Sequence, residues 1–188
     1  ALNEGLALGY NQLSSYSSAN SPQAIALLNS LGYSSVGEFS TRYAEPILAV
    51  DALLGVKYAI VDLAPAGYAA TSEPADATSA VYKNPYTLSV GIATSKDIQN
   101  STLEGENPFE KQNDLYSKIV GRKVDLYTKI DATKTADNQN SKQWSVNVPA
   151  GSIGYLYINR DASAGSYWPI ALTIDQRTIN NEAWRFDN

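Results

Sequence analysis

The sequence predicts an α+β fold, with an N-terminal helix-strand part followed by an antiparallel β-sandwich-like part. Two capping residues placed directly before proline, in Ser21-Pro22 and Asn107-Pro108, mark helix starts in the first part. After Gly121, apolar and polar residues alternate with the period of two that is typical of half-buried strands. We therefore predict an α+β part over residues 1–121 and a β-sandwich-like part over residues 122–188, whose uncapped end allows for missing strands.

Local patterns predict the first elements in turn. Residues 6–10 alternate between apolar and small or polar side chains, which predicts a short strand. Residues 22–31 carry apolar side chains at helical spacing until Gly32 ends the helix. Residues 47–54 are apolar on most faces, which predicts a buried helix that Gly55 ends.

Strands and one more helix complete the prediction. Residues 56–61 are predicted as an interior strand, and residues 64–79, rich in Pro, Gly and small residues, as a surface loop. A third helix begins at Pro108 and is closed by Gly121. Two strands, residues 80–82 and 88–93, are joined by the turn-forming run Asn84-Pro85-Tyr86. Four strands with alternating apolar residues follow the third helix, at residues 124–128, 144–148, 153–157 and 170–174.

Composition excludes several classes of function. The chain has 188 residues, a net charge of −5, and neither His nor Cys. Without Cys there are no disulfides, thiolate nucleophiles or Cys-based zinc sites, and without His there is no Ser-His-Asp arrangement. Lys and Arg never cluster beyond two neighbours, so we expect no nucleic-acid partner and no general attraction to anionic lipid.

The chain is expected to be an excised piece of a longer protein. It contains no Met at all, the initiator included, and no signal-peptide pattern. No window approaches the roughly 18 consecutive apolar residues that a spanning helix needs. We therefore expect that this piece does not itself span a membrane.

Acidic residues give no convincing site. Two carboxylate pairs, Glu104 with Glu106 and Glu73 with Asp76, fall in polar loops, and both pairs are interpreted as solvated surface charge. A calcium site in the turn that contains Asn159 lacks the full loop signature with its closing Glu. We predict no catalytic residue, no metal and no cofactor.

Aromatic residues give a speculative binding site. The chain has 13 Tyr and 3 Trp, and exposed aromatic faces can stack on sugar rings while amides and carboxylates bind the hydroxyls. The candidate substrate-binding residues are Tyr157, Asn159, Tyr167 and Trp168. The alternative for Tyr155, Tyr157 and Trp144 is ordinary packing between sheets, which we favour.

Three phrases in this order carry a resemblance to a family. They are the helix-Gly-strand run Asp51–Tyr58, the turn Asn84-Pro85-Tyr86 followed by Leu88, and the helix start Asn107–Asn113. Together they resemble the extracytoplasmic region of YfhO, a family of bacterial multi-spanning membrane proteins, over about residues 1–125. The family pattern has Pro after Leu, whereas Ser89 follows Leu88 here. Each phrase also has a scaffold explanation, as helix stop, turn and helix cap.

The resemblance implies a parent that looks like a C-type glycosyltransferase of Gram-positive bacteria. Such a parent takes a sugar from a polyprenyl-phosphate carrier outside the membrane and transfers it to lipoteichoic acid or a related cell-wall polymer. Its catalytic carboxylate lies near the first membrane helices, which are not in this chain, so this piece would be non-catalytic and would assist acceptor binding. The alternative function is a carbohydrate-binding or adhesive cell-surface module.

Overall fold

The computed structural model of the protein describes residues 3–36, 39–43, 46–74, 79–99, 101–139, 141–158, 172–174 and 177–179. The helices are α1 (Glu4–Leu8), α2 (Pro22–Ser30), α3 (Leu48–Leu53) and α4 (Pro108–Val120), and Lys96–Ile98 form one 3-10 turn. The strands are β1 (Ser15–Tyr16), β2 (Ser34–Val36), β3 (Ser40–Arg42), β4 (Tyr58–Val61), β5 (Ala69–Pro74), β6 (Ala80–Lys83), β7 (Ala132–Asn138), β8 (Ser141–Val146), β9 (Leu172–Ile174) and β10 (Arg177–Ile179).

All strand pairs within the described residues are antiparallel, in four small sheets. The first sheet has the order β1-β3-β2 and the second the order β4-β6-β5, while β7-β8 and β9-β10 are hairpins. Helices and sheets mix up to α4, and strands alone follow it in the described residues. This confirms the predicted α+β class with a sheet-rich C-terminal part.

Side-chain caps explain where two helices begin. Ser21 Oγ accepts a hydrogen bond from the N–H of Ala24 at 3.4 Å, and Asn107 Oδ1 accepts from the N–H groups of Phe109 and Glu110, both at 3.0 Å. Each cap satisfies backbone donors that the first helical turn cannot pair internally. Both predicted starts are confirmed, and α3 lies within one residue of its prediction at either end.

The N-terminal prediction is wrong, because Glu4–Leu8 form helix α1 instead of a strand. Asn3, just before the helix, makes two hydrogen bonds with the backbone of Tyr16: its Oδ1 accepts from the N–H at 2.8 Å and its Nδ2 donates to the carbonyl at 3.0 Å. Gly9 ends α1 in the left-handed conformation. A contact 13 residues away therefore overrides the local alternation.

The second sheet departs from prediction in three places. Strand β4 lies at the sheet edge and not in the interior, with Tyr58 and Ile60 exposed on either side of the buried Ala59. Strand β5 forms within the predicted loop of residues 64–79. Residues 88–93, all described, form no strand, whereas β6 confirms the strand predicted at residues 80–82.

The C-terminal strands are confirmed in part. Strand β8 covers the first half of the prediction at residues 144–148, and β9 covers the end of that at residues 170–174. Strands β7 and β10 were not predicted, and residues 124–128 and 153–157 form no strand. Every residue of β8 is exposed, so a second layer packed over this hairpin stays a prediction.

The core gathers around α3. Its buried cluster consists of Leu31, Tyr33, Val50 and Leu115, which come from the end of α2, the segment after it, α3 and α4. Half-buried apolar residues pack against this cluster from the flanking segments; they include Leu28, Tyr43, Ile47, Leu103 and Ile119. The short helix α3 is thus enclosed by neighbours, and its one charged residue requires partners.

Candidate functional site

That charged residue is Asp51, whose side chain is 0% exposed. The hydroxyl of Tyr43 donates to its Oδ2 at 2.6 Å, and the backbone N–H of Ile47 donates to the same oxygen at 3.1 Å. The hydroxyl of Tyr33 donates to Oδ1 and that of Tyr68 to Oδ2. These four hydrogen bonds, three to Oδ2 and one to Oδ1, hold the buried carboxylate in place. We call Asp51 and the three tyrosines the Asp51 cluster.

The Asp51 cluster is electrostatically unusual. Burial raises the pKa of Asp51, while the hydrogen bonds from the three tyrosines and the Ile47 amide act in the opposite direction. Burial, and then the neighbouring Asp51, raises the pKa of Tyr33, Tyr43 and Tyr68, so the hydroxyls remain protonated donors. A raised carboxyl pKa in a pocket often marks a catalytic acid, but this carboxylate is 0% exposed and lies out of reach of a substrate. The cluster joins four chain segments and acts as scaffold.

Asn84, from the second motif phrase, is also buried and serves α3. Its Nδ2 donates to the carbonyl of Leu48 at 3.4 Å, and its Oδ1 accepts from the N–H of Tyr86 at 2.9 Å. The N–H of Leu88 donates to the carbonyl of Ala52 at 2.9 Å, which lays the rest of the phrase along the end of the same helix. The turn thus closes one side of α3.

The third phrase holds the other side. Gln112 on α4 is 0% exposed, and its Nε2 donates to the carbonyl of Leu31 at 2.9 Å. Asn113 binds Tyr127 by two hydrogen bonds, accepting from its N–H at 3.0 Å and donating to its carbonyl at 2.9 Å. The Tyr116 hydroxyl donates to the carbonyl of Ala49 on α3 at 2.6 Å. In all three phrases, buried polar side chains bind the protein's own backbone or tyrosines, although Gln112 Oε1 has no hydrogen-bond partner among the described residues.

Only one of the four predicted substrate-binding residues lies in the described part of the chain. Tyr157 is described and is 43% exposed, whereas Asn159, Tyr167 and Trp168 lie outside the described residues. Trp144 is 52% exposed, and packing of Trp144 and Tyr157 between sheets stays a prediction, as does the second layer over β8. The predicted site likewise stays a prediction.

Tyr155 belongs instead to an aromatic cluster beside α4. Its ring centroid lies 6.0 Å from that of Phe109 and 5.5 Å from that of Tyr127, and the Phe109 and Tyr127 centroids lie 5.1 Å apart. These separations are typical of stabilising aromatic pairs. Tyr155 therefore packs inside the protein, but against Phe109 of α4 and Tyr127 and not as a strand residue between sheets. This cluster holds the segment before Tyr157, so Tyr157 projects from a supported position.

A recess between α2 and the first sheet was not predicted. Its volume is about 220 Å³, and it contains Gln12, whose buried Nε2 has no hydrogen-bond partner in the described part of the chain. Polar and apolar side chains both line it: Gln12, Leu13, Ser15, Asn20, Ser21, Ala24, Ile25, Leu28 and Thr41. Drug-sized ligands occupy pockets of about 300–1,000 Å³, so this recess suits a smaller polar group. Its residues come from three segments, which local sequence patterns do not bring together.

Metal and hydrolytic chemistry gain no support from the described residues. Among them, no group of three or more acidic residues is placed to hold a metal ion. The carboxylates of Glu104 and Glu106 are not paired; their backbone N–H groups donate instead to Asp114 and Glu110, respectively. Asp76 and the candidate calcium turn at residues 159–163 lie outside the described residues.

Comparisons with known proteins give one match. The family model described as "Bacterial membrane protein YfhO" matches residues 1–176, which extends beyond the resemblance over residues 1–125 and includes strands β7 to β9. Searches among curated proteins and among solved structures give no match. Within the described residues, no helix is both long and apolar enough to cross a membrane.

Proposed function

Because the chain belongs to the YfhO family of bacterial membrane proteins, we propose that it is a non-catalytic extracytoplasmic part that assists acceptor binding. The reaction we assign to the parent protein moves a sugar from a polyprenyl-phosphate carrier to lipoteichoic acid or a related cell-wall polymer. The bond between the sugar and the carrier phosphate breaks, and an acceptor hydroxyl forms the new glycosidic bond. The released polyprenyl phosphate stays in the membrane.

One observation carries the non-catalytic role. The buried side chains of Asp51, Asn84 and Gln112 in the motif phrases make internal hydrogen bonds, and four donors bind the Asp51 carboxylate. General acid–base catalysis requires a titrating group within hydrogen-bond reach of the substrate. The Asp51 carboxylate is fully buried and does not meet that requirement, so we assign the chemistry to another part of the parent protein.

Two surface features support acceptor binding. Tyr157 presents an exposed ring on a segment that the aromatic cluster around Tyr155 holds in place. The recess between α2 and the first sheet has space for about one sugar ring, and polar side chains that include Ser15, Asn20 and Thr41 line it. Since the net charge of the chain is −5, the acceptor would be held through rings and hydroxyls and not through its phosphates.

The test is sugar transfer by the full-length protein in membranes, with a polyprenyl-phosphate sugar and a polymer acceptor. We expect Tyr157→Ala to raise KM for the acceptor about tenfold, with kcat unchanged, because a ring stacked on a sugar face is lost. Tyr10→Ala removes a ring of almost equal exposure, 45% against 43%, and serves as the matched control. Equal effects of both variants, or unchanged transfer and acceptor choice after deletion of residues 1–188, would count against the proposal.

The second candidate is a carbohydrate-binding or adhesive cell-surface module. The exposed Trp144 and Tyr157 favour it, since sugar-binding surfaces present aromatic faces to solvent. Titration of the 188-residue chain with teichoic-acid fragments and simple glycans separates the two candidates. Micromolar binding that is lost in Trp168→Ala, combined with normal sugar transfer by the same variant of the parent, would select the module.

A further inference from the structure

Strand β4, the end of α3 and the segment after β6 carry exposed apolar side chains. Six large apolar side chains are exposed there, which we call the edge patch: Leu54, Tyr58, Ile60, Tyr86, Leu88 and Val90. Val90 is the extreme case, with 106% exposure, so its side chain packs on nothing in the described structure. A continuous apolar area on a folded protein commonly marks an interaction site.

Hydrogen bonds place the two segments of the edge patch side by side. The N–H of Asn84 donates to the carbonyl of Lys57, and the N–H of Leu88 donates to the carbonyl of Ala52, both at 2.9 Å. The Thr87 hydroxyl donates to the carbonyl of Asn84 at 2.9 Å, and its Oγ1 lies 3.3 Å from the carbonyl oxygen of Val56. These contacts lay residues 84–88 alongside residues 52–57 and bring the exposed residues of both segments near one another.

Two lysines, Lys57 and Lys83, lie among these exposed residues, although the whole chain is acidic with a net charge of −5. The exposed Asp62 lies just beyond the end of β4, where its Oδ1 accepts a hydrogen bond from Ser79 at 3.0 Å. Lys83 lies directly opposite Tyr58 in the register of β4 and β6, and Lys57 Nζ lies 5.4 Å from the Tyr58 ring centroid. Two cations thus flank an aromatic ring beside exposed aliphatic side chains.

We propose that the edge patch rests on the surface of an anionic lipid bilayer. Aliphatic side chains enter the boundary between headgroups and acyl chains, tyrosine rings lie at headgroup level, and lysines meet lipid phosphates. Membership of a membrane-protein family places a bilayer beside this chain. Lipid contact at this surface does not depend on sugar transfer, so either role can fail without the other.

The first arm of the test measures charge. The 188-residue chain is sedimented with phosphatidylcholine vesicles, with and without phosphatidylglycerol, at low and high salt. We expect binding to the anionic vesicles that weakens with salt, and a loss of about thirtyfold in Lys57→Ser/Lys83→Ser, about fivefold for each lysine at the surface. The control is Lys129→Ser/Lys142→Ser, two exposed lysines elsewhere whose loss changes the net charge equally.

The second arm measures apolar contact. Val90→Asp leaves packing intact because the side chain touches nothing, and we expect about tenfold weaker binding to anionic vesicles. Leu6→Asp, at a residue 83% exposed on α1, is the matched control with the same added charge. Equal binding to both kinds of vesicle, or equal losses in patch and control variants, would overturn the proposal. A dimer in sedimentation equilibrium that Val90→Asp dissociates would also overturn it, since a second copy would then cover the edge patch.

Discussion

Replacing Asp51 in two ways tests whether its four donors hold the fold together. Asp51→Ala leaves the hydroxyls of Tyr33, Tyr43 and Tyr68 and the N–H of Ile47 without their acceptor. An unsatisfied buried donor costs about 1–3 kcal/mol, and the half-buried Tyr43 and Tyr68 can recover part of this cost from water. We expect Asp51→Ala to lower the free energy of unfolding by about 3–5 kcal/mol.

Asp51→Asn should be much milder, for a geometric reason. Three of the four donors converge on Oδ2, and only the Tyr33 hydroxyl binds Oδ1. An asparagine whose carbonyl oxygen takes the place of Oδ2 keeps those three hydrogen bonds. Its amide then donates to the Tyr33 hydroxyl, which can rotate to accept. We expect a loss of about 1 kcal/mol or less, because the buried charge is also removed.

Urea denaturation and thermal melts of the purified chain measure both variants, with Asp131→Ala at an exposed aspartate as control. For a chain of this size, about 3–5 kcal/mol corresponds to a fall in Tm of roughly 6–20 °C. If Asp51→Asn destabilises as strongly as Asp51→Ala, the assignment of three donors to Oδ2 and one to Oδ1 is refuted. If neither variant changes Tm, the cluster does not hold the fold together.

Three further predictions concern the same scaffold. Burial raises the pKa of folded Asp51 above its ordinary value of 3.8, so the stability that this residue contributes is fully present below pH 3.8 and should be lost as pH rises through the folded pKa. Measuring the free energy of unfolding of wild type and Asp51→Asn against pH checks this. An equal slope of that free energy with pH in both proteins would contradict it. Asn107→Ala removes the cap of α4 and should cost about 1 kcal/mol in urea denaturation, against no change for Asn11→Ala in an exposed loop. Gly67→Ala should lower the free energy of unfolding by about 1–3 kcal/mol, because φ is +83° and the new Cβ would lie 2.5 Å from Leu48 Cδ2. Gly151 has a similar φ of +77° but no atom of the described residues within 4 Å of the new Cβ, so Gly151→Ala measures the cost of the backbone conformation alone.

Helix boundaries could be predicted because their causes are local. A capping side chain reaches donors two or three residues away, as Asn107 does, so the run Asn107-Pro108 is enough to place the start of α4. The same holds for the end of that helix, where Gly121 adopts φ +69°. The cause and the structure lie within one turn of the chain.

Strand predictions failed where alternation had another cause. Residues 124–128 alternate like a strand, but Asn113 on α4 takes the backbone N–H and carbonyl of Tyr127 that a neighbouring strand would use. Tyr155, in the second such segment, packs its ring on Phe109 and Tyr127. An extended segment held on a helix and a strand in a sheet can show the same alternation of apolar residues, so the pattern alone does not separate them.

The Asp51 cluster could not be predicted residue by residue, but a signal for it was present. Its tyrosines lie 18, 8 and 17 residues from Asp51, too far apart for any local period to group them. The signal was an aspartate within the apolar run of residues 47–54, since a charge on a buried helix requires partners. Thirteen tyrosines in a chain without His made hydroxyls the most available neutral donors.

The three motif phrases contribute to one packing arrangement around α3. Because their buried polar residues serve this packing, residues that bind a ligand should be sought elsewhere, on the surface. Asp51 fixes α3 to the tyrosines, Asn84 fixes the turn to α3, and Gln112 fixes α4 to the end of α2. These buried hydrogen bonds specify the fold more sharply than another apolar residue would. Contacts with sugar or lipid require exposed groups, and the exposed groups that we propose for them are Tyr157 and the edge patch. Variants at the buried Asp51, Asn84 and Gln112 should therefore change unfolding, and variants at Tyr157 or Val90 should change binding while unfolding stays the same.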